Sequence, residues 1–441
     1  MLLGTQRVNE FGHLEVGGCD TIELAHEFGT PLYVMDEQTI RTNCRRYKAA
    51  FEAVYPHNDI SFASKSFLNQ AICKVIEQEG LSLDVASAGE LHTALTAGFP
   101  ASKILLHGNN KSDGELSMAV QHGVGRVVVD NFPELNRLAA IANQSGKSPH
   151  ILIRVTPGID PHTHRRIRTG QEDTKFGISI ASGAAIEAVK EALRLSPSLV
   201  LEGLHCHIGS QLLDSHTHEQ ALDIMVGFLR TVIDTTGWVP SELDMGGGLG
   251  IRYVEAHCPP SYEEFAQSVA EALITALEKH GVPQPKLLQE PGRALVGEAG
   301  LTLYEVGVIK TVQIPEAPGI RTYVAIDGGM SDNPRPQLYD AVYEAHVANR
   351  ASEPKTDVVT IAGKHCETDI LIHGLNLQQV NTGDILAVQS TGAYNYVMAS
   401  NYNKFTKPAC VFVQNGTADL VARRETLDDI IRLDVIPDRL K

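Results

Sequence analysis

Between residues 36 and 298, short β-rich apolar runs alternate with longer helical patterns, and this alternation limits the fold more than any other property of the chain. DISFAS (59–64), SLDVAS (82–87), KILLHG (103–108) and RVVVD (126–130) are followed by HILIRVTP (150–157), LEGLHCHIG (201–209), ELDMGGG (242–248) and KLLQEPG (286–292), which makes eight candidate strands. Several intervening stretches open on a capping side chain three residues ahead of a glutamate: Ser87 with Glu90, Ser112 with Glu115, Asn131 with Glu134. Each continues in an i, i+3, i+4 apolar stripe, such as Leu91, Ala94 and Leu95, and stops at Gly98, Gly123 or Gly146. Alternating strands and helices imply a parallel sheet with right-handed crossovers. An open doubly wound sheet satisfies the same alternation, but eight units favour a closed α/β fold, the (β/α)8 TIM-type barrel.

Past about residue 300 the pattern changes, with LTLYEVGVIKTV, RTYVAIDGG, DVVTIAG, DILAVQSTGAY and CVFVQNGTADLVARRE reading as strands with few helical interruptions. Asn415-Gly416 is a strong hairpin signal. The expected organisation is a barrel over 36–298 and a C-terminal all-β, barrel-like domain over 299–441, with the N-terminal segment 1–35 packing against the latter.

A net charge of -16 argues against nucleic acid or an anionic membrane as partner, since both demand clustered Lys and Arg. The longest apolar runs fall far short of the ~18 residues of a membrane helix. MLLGTQRVNEFG has neither the apolar core of a secretory signal nor the composition of a transit peptide, so a cytoplasmic location is expected. The seven cysteines are scattered and never in CxxC spacing, which points to reduced thiols and to no metal site.

Chemistry enters at ISFASKSF, residues 60 to 67. Strand alternation puts Ile60, Phe62 and Ser64 on one face and continues Ser61 and Ala63 into Lys65 on the other, at the strand end where barrels build active sites. After the seventh strand, Gly246, Gly247 and Gly248 can bring backbone N–H groups against an anion such as phosphate. GxGxxG dinucleotide binding is excluded, because that motif opens the first unit of its fold rather than the seventh. Glu290 and Arg293 follow in QEPGR. A lysine able to bond a carbonyl covalently, a phosphate cradle and an acid for a pyridine nitrogen together are what pyridoxal phosphate requires.

The motifs SKS, DVASAGEL, HGNNKSDGEL, TG…KFGI, GLHCHIGSQ, DMGGGLGI, EPGR, GGMSDNPRPQLYDA, CETD and GAYNYVMASNYN occur in that order. In this they resemble the alanine-racemase-like, fold-type III class of pyridoxal phosphate enzymes, and within it the diaminopimelate decarboxylase family. The resemblance implies that Lys65 carries the pyridoxal 5'-phosphate covalently, Glu290 meets its ring nitrogen and His207 stacks on its ring. It assigns the phosphate to Ser210, the Gly246–Gly248 turn, the backbone of Pro291, Gly292 and Arg293, and Tyr394. Arg293, Arg335, Tyr339, Glu367 and Tyr394 are implied substrate contacts, and Cys366 the proton donor, reaching across a homodimer with sites shared between subunits. CETD is one residue shorter than the family's CESGD.

The implied reaction is decarboxylation of meso-diaminopimelate to L-lysine and carbon dioxide. A small diamino diacid needs arginines and a phenol for its far carboxylate and an acid for its far ammonium, a set that Arg293, Arg335, Tyr339 and Glu367 supply. Alternatives are a related decarboxylase for another basic amino acid or a carboxylated polyamine, an amino-acid racemase, and a non-catalytic cofactor carrier.

Overall fold

The computed structural model describes residues 1–159, 173–314 and 319–441. The chain divides into two compact units, one formed by Arg41–Ile251 and His257–Leu295, the other by Met1–Ile40, Arg252–Ala256 and Val296–Lys441. Thr169 and Gly170, which open the TG…KFGI motif, lie outside the described residues.

In the first unit the strands are Asn58–Ala63, Ser82–Val85, Ile104–Leu106, Arg126–Val129, His150–Thr156, Val200–His205, Glu242–Asp244 and Lys286–Gln289. Each pairs in parallel with the next, and the eighth returns to the first through Leu287 opposite Asn58 and Gln289 opposite Ile60. The sheet is a closed barrel of eight strands. Leu105, Val128, Leu152 and Leu288, from the third, fourth, fifth and eighth strands, pack together, so the interior is filled with side chains. The seventh and eighth strands end earlier than their apolar runs, because the glycines after Asp244 and Pro291 after Glu290 leave the hydrogen-bonded ladder.

Helix starts follow the capping residues, with two diversions of the partner glutamate, the first at Ser87, where Glu90 accepts the Ala86 amide at 2.6 Å instead of the cap's own. Ser112 and Glu115 cap reciprocally. Asn131 accepts the Glu134 amide, but the Glu134 carboxylate turns away and meets Lys111 Nζ at 2.7 Å in a fully buried pair. An ammonium with two backbone carbonyls as its other partners needs an anion more than the helix end does.

The second unit is built around a sheet in the order Ile370–Gln378, Lys355–Ala362, Ile320–Ile326, Gly300–Gln313, Leu32–Asp36, Ala409–Gln414, Thr417–Ala422. Leu32–Asp36 from the N-terminal segment lies antiparallel to Gly300–Gln313 and parallel to Ala409–Gln414. Leu14, Val34, Leu303, Ala387 and Val411 belong to one buried cluster there. Asn415 and Gly416, both at positive φ, turn the last hairpin. The unit also holds short helices, including Arg335–Tyr339. Among the described residues no helix is long and apolar enough to cross a membrane.

Gly203 on the sixth barrel strand lies at a register shift, and a Cβ there would stand 1.9 Å from the Glu242 carbonyl oxygen on the seventh. Gly203→Ala should therefore force these strands apart and cost about 1–3 kcal/mol, read as a lower urea midpoint. An unchanged midpoint would mean that the pair relaxes freely.

Candidate active site

The C-terminal ends of the barrel strands carry Lys65, His207, Ser210, Gly246–Gly248 and Glu290–Arg293, whereas Tyr394 belongs to the second unit. Lys65 differs from its expected setting: the first strand ends at Ala63, and Ser64–Ser66 form a 3-10 turn closed by the Phe67 amide on the Ser64 carbonyl. The Ser66 hydroxyl donates to the Ala63 carbonyl at 2.8 Å, which turns the backbone out of the ladder. The small serines are buried while the lysine side chain stays 43% exposed, its Nζ 3.7 Å from the buried Asp84 Oδ2.

Glu290 follows the eighth strand and is buried. Its Oε1 lies 2.7 Å from His107 Nε2 and its Oε2 3.3 Å from His205 Nε2, with the two rings edge to face at 5.0 Å. Burial works to raise this carboxyl, but the interactions with His107 and His205 outweigh it and hold Glu290 well below the usual carboxylate range. Burial also lowers His205, to about 3 against the pull of Glu290, so its imidazole is neutral and serves as a hydrogen-bond donor. The carboxylate is thus ionised, with His205 beside it as a neutral donor. The donor atoms of His107, His205 and Glu290 fall within 4.8 Å of one another, a spacing compatible with a metal ion, but here they bind each other.

His207 follows the sixth strand. The Gly247 amide donates to its Nδ1 at 3.3 Å, which leaves the ring hydrogen on Nε2. Burial, helped by Lys65 and Arg154, lowers its pKa well below the ordinary value, so it is a neutral, fixed aromatic plate. A Cβ on Gly246 would stand 2.7 Å from that Nδ1, and one on Gly247 2.1 Å from the Glu290 carbonyl oxygen, so this turn accepts only glycine. Arg293 Nη2 donates to Ser210 Oγ at 3.0 Å, and the Pro291 carbonyl accepts the Ala63 amide at 3.0 Å, tying EPGR to the lysine strand.

A side-chain-free turn, an exposed lysine, a flat neutral ring and a buried ionised carboxylate fit pyridoxal phosphate. Lys65 would hold it covalently, Glu290 would meet its ring nitrogen, and the Gly246–Gly248 turn with Ser210 would receive its phosphate.

In the second unit Arg335 opens its short helix and is buried. Its guanidinium carbon lies 5.7 Å from the ring centroid of Tyr253, 5.3 Å from Tyr339 and 5.6 Å from Tyr394, and the Tyr343 phenol also acts on it. Among the described residues no carboxylate forms an ion pair with it. Burial lowers its pKa, yet the phenols around it more than compensate and leave it raised. Cys366 and Glu367 occupy a separate exposed loop, where the Cys366 amide donates to Asn403 Oδ1 at 2.9 Å and the Tyr402 hydroxyl to Glu367 at 2.7 Å. The shortened CETD segment is anchored by Asp369, which at φ 47° accepts the Met330 amide at 2.8 Å and bonds the buried His365 ring at 2.7 Å.

A family model described as pyridoxal-dependent decarboxylase, pyridoxal binding domain, matches residues 37–297. The diaminopimelate decarboxylase of Bacillus subtilis is 47% identical over 435 residues, covering 98% of both chains. The chain belongs to the diaminopimelate decarboxylase family of pyridoxal-dependent decarboxylases. The diaminopimelate decarboxylase of Synechocystis is 44% identical over 446 residues, covering 99% of this chain and 93% of its own. Among solved structures, the diaminopimelate decarboxylase of M. jannaschii in co-complex with L-lysine superposes with a TM-score of 0.90 at 34% identity over 100% of both chains.

Sequence reasoning assigned no part in this decarboxylase to Asp84, His107, Arg154, His205 or Tyr253. Arg154 is a guanidinium inside an otherwise apolar strand, and it proves buried, 3.9 Å from Asp130 and stacked 4.4 Å over Phe176. That break in the apolar pattern, like the polar ends of SLDV and of GLHCH, was the available signal.

His218 supports the glycine turn from the helix His216–Thr236, its Nε2 donating to the Gly247 carbonyl at 3.3 Å. Burial lowers its pKa from the ordinary 6.5 to about 4, with the Gly247 bond opposing. Between these values the unfolded chain binds a proton that the folded enzyme refuses, so stability falls as pH drops from 6.5 toward 4, by about 1.4 kcal/mol per unit for one group. His218→Gln, which keeps a donor and removes the titration, should flatten the dependence of urea midpoints on pH by that one proton. An undiminished slope would refute the assignment.

Proposed function

We propose that this decarboxylase removes the carboxylate from one centre of meso-diaminopimelate, giving L-lysine and carbon dioxide in the last step of lysine biosynthesis. The observation that carries the reading is Arg335: a buried guanidinium ringed by phenols, with no carboxylate among the described residues in an ion pair with it, calls for a carboxylate from the substrate. Decarboxylases of basic amino acids without a far carboxylate would leave that charge facing an ammonium. The L-lysine in the M. jannaschii complex has the skeleton of the expected product.

Bound pyridoxal phosphate supplies an electron sink for the pair left when carbon dioxide departs. Lys65 would hold the cofactor, with Asp84 beside its Nζ at 3.7 Å as a proton partner. Glu290 keeps a proton on the ring nitrogen, and His207 supports the ring face without adding charge. Ser210, Gly246, Gly247, Gly248, the backbone of Pro291, Gly292 and Arg293, and Tyr394 hold the phosphate. Arg335, Arg293, Tyr339 and Tyr394 grip the far carboxylate, and Glu367 the far ammonium.

Cys366 then returns a proton to the α-carbon. A thiol can serve as a general acid, and the exposure of Cys366 on one chain supports delivery into the site of a second copy in a homodimer. All seven cysteines are free thiols, five of them buried, which supports a reducing cytoplasmic setting.

The function is tested by carbon dioxide release from meso-diaminopimelate, lysine, ornithine and arginine, with the diacid expected to be turned over far best. Arg335→Ala should lose about 2–5 kcal/mol in kcat/KM toward diaminopimelate with cofactor content unchanged. Equal losses toward diaminopimelate and lysine would contradict the carboxylate grip. Sharing of sites is tested by mixing Lys65→Ala and Cys366→Ala chains. Each is nearly inactive alone, and random reassortment in a two-fold dimer should restore about a quarter of wild-type activity per site. No recovery after mass spectrometry has shown mixed dimers would mean that each site is built within one chain or that Cys366 is not the acid.

A further inference from the structure

Asp244 ends the seventh barrel strand two residues before Gly246, and its side chain is fully buried. Its Oδ1 accepts the Gly246 amide at 2.8 Å. Its carboxyl is also within hydrogen-bonding reach of Glu290, whose own amide donates to the Gly246 carbonyl at 2.8 Å. Among the described residues no N–H or O–H group donates to the buried Asp244 Oδ2.

Two carboxyl groups in contact cannot both ionise in a buried site unless cations balance them. The charged groups that act on Asp244 are Glu290 and Asp84, both acidic, and among the described residues no Lys, Arg or His forms an ion pair with it. Glu290, in contrast, has His107 and His205 as donors. The single proton therefore belongs on Asp244, where it also satisfies the orphaned oxygen. Burial and the two acidic neighbours raise this carboxyl well above its usual range.

We infer that Asp244 is held as a neutral carboxylic acid that donates a hydrogen bond to the Glu290 carboxylate while accepting one from the Gly246 amide. It is then a positioning residue that ties the phosphate turn to the carboxylate for the ring nitrogen, a role that rests on the functional reading of those two features. One acid bonded to both ends of the cofactor's seat fixes the distance between them, and it adds no second negative charge beside Glu290.

Asparagine can reproduce both bonds, with its carbonyl accepting from Gly246 and its amide donating to Glu290. Asp244→Asn should keep the dissociation constant for pyridoxal phosphate within about threefold and preserve the absorption spectrum of the bound cofactor, whereas Asp244→Ala should weaken binding by about tenfold or more. Infrared spectra of the wild-type apoenzyme should contain a carboxylic acid C=O band, shifted in heavy water, that vanishes in Asp244→Asn. Loss of cofactor by the Asn variant equal to that of the Ala variant, or no band lost, overturns the inference. The infrared result decides even where Asp244→Ala does not fold. Because it is read without cofactor, it is independent of Glu290→Gln, whose failure to weaken cofactor binding would overturn the role given to Glu290 instead.

Discussion

The barrel unit depends on an ionised carboxylate kept inside it. Taking Glu290 out of water costs several kcal/mol, and among the described residues no lysine or arginine forms an ion pair with it to offset the loss. What stabilises the anion is hydrogen bonding from His107 and His205, which reach it from the ends of the third and sixth strands. Only a closed sheet brings those strand ends round one point. Under the proposed function, a protonated ring nitrogen would be the cation that this carboxylate receives.

The second unit follows the same logic with the opposite sign. Arg335 is buried among Tyr253, Tyr339, Tyr343 and Tyr394, whose rings and hydroxyls solvate a cation without neutralising it. A carboxylate or lysine beside it would abolish the need for an anionic ligand. Under the proposed function each unit holds a charge that a small molecule would complete, and specificity would then be electrostatic: a ligand lacking the complementary group would leave a buried charge unsatisfied. The glycine turn contributes in another way, since Gly246 and Gly247 leave no room for a Cβ and present backbone alone.

Much of this was readable from local pattern. The eight apolar runs, the caps at Ser87, Ser112 and Asn131, and the Asn415-Gly416 turn are all short-range features, and each occurs where expected. Lys65 was found at the right strand end but with the wrong backbone, because alternation assumes that a strand continues, whereas the Ser66 hydroxyl on the Ala63 carbonyl closes a turn. Glu134 was read as a capping partner and instead serves Lys111, since a buried ammonium from a distant loop competes more strongly for the carboxylate than an exposed helix end does.

By itself the sequence determined the alternation that builds a barrel, the glycine turn, the lysine, and the carboxylate of EPGR, because periodicity, missing side chains and chemical type are properties of neighbouring residues. Tertiary structure alone decided which groups surround them. Asp84, His107, His205 and Asp244 come from four different strands and acquire their roles only where the closed barrel removes water and brings their side chains into mutual contact. Tyr253 belongs to a five-residue stretch, Arg252–Ala256, that clusters with the β unit although it lies within the barrel's sequence, so no reading of its neighbours leads to Arg335. Protonation, likewise, is set by desolvation and by partners remote in the chain, and those exist only once the protein has folded.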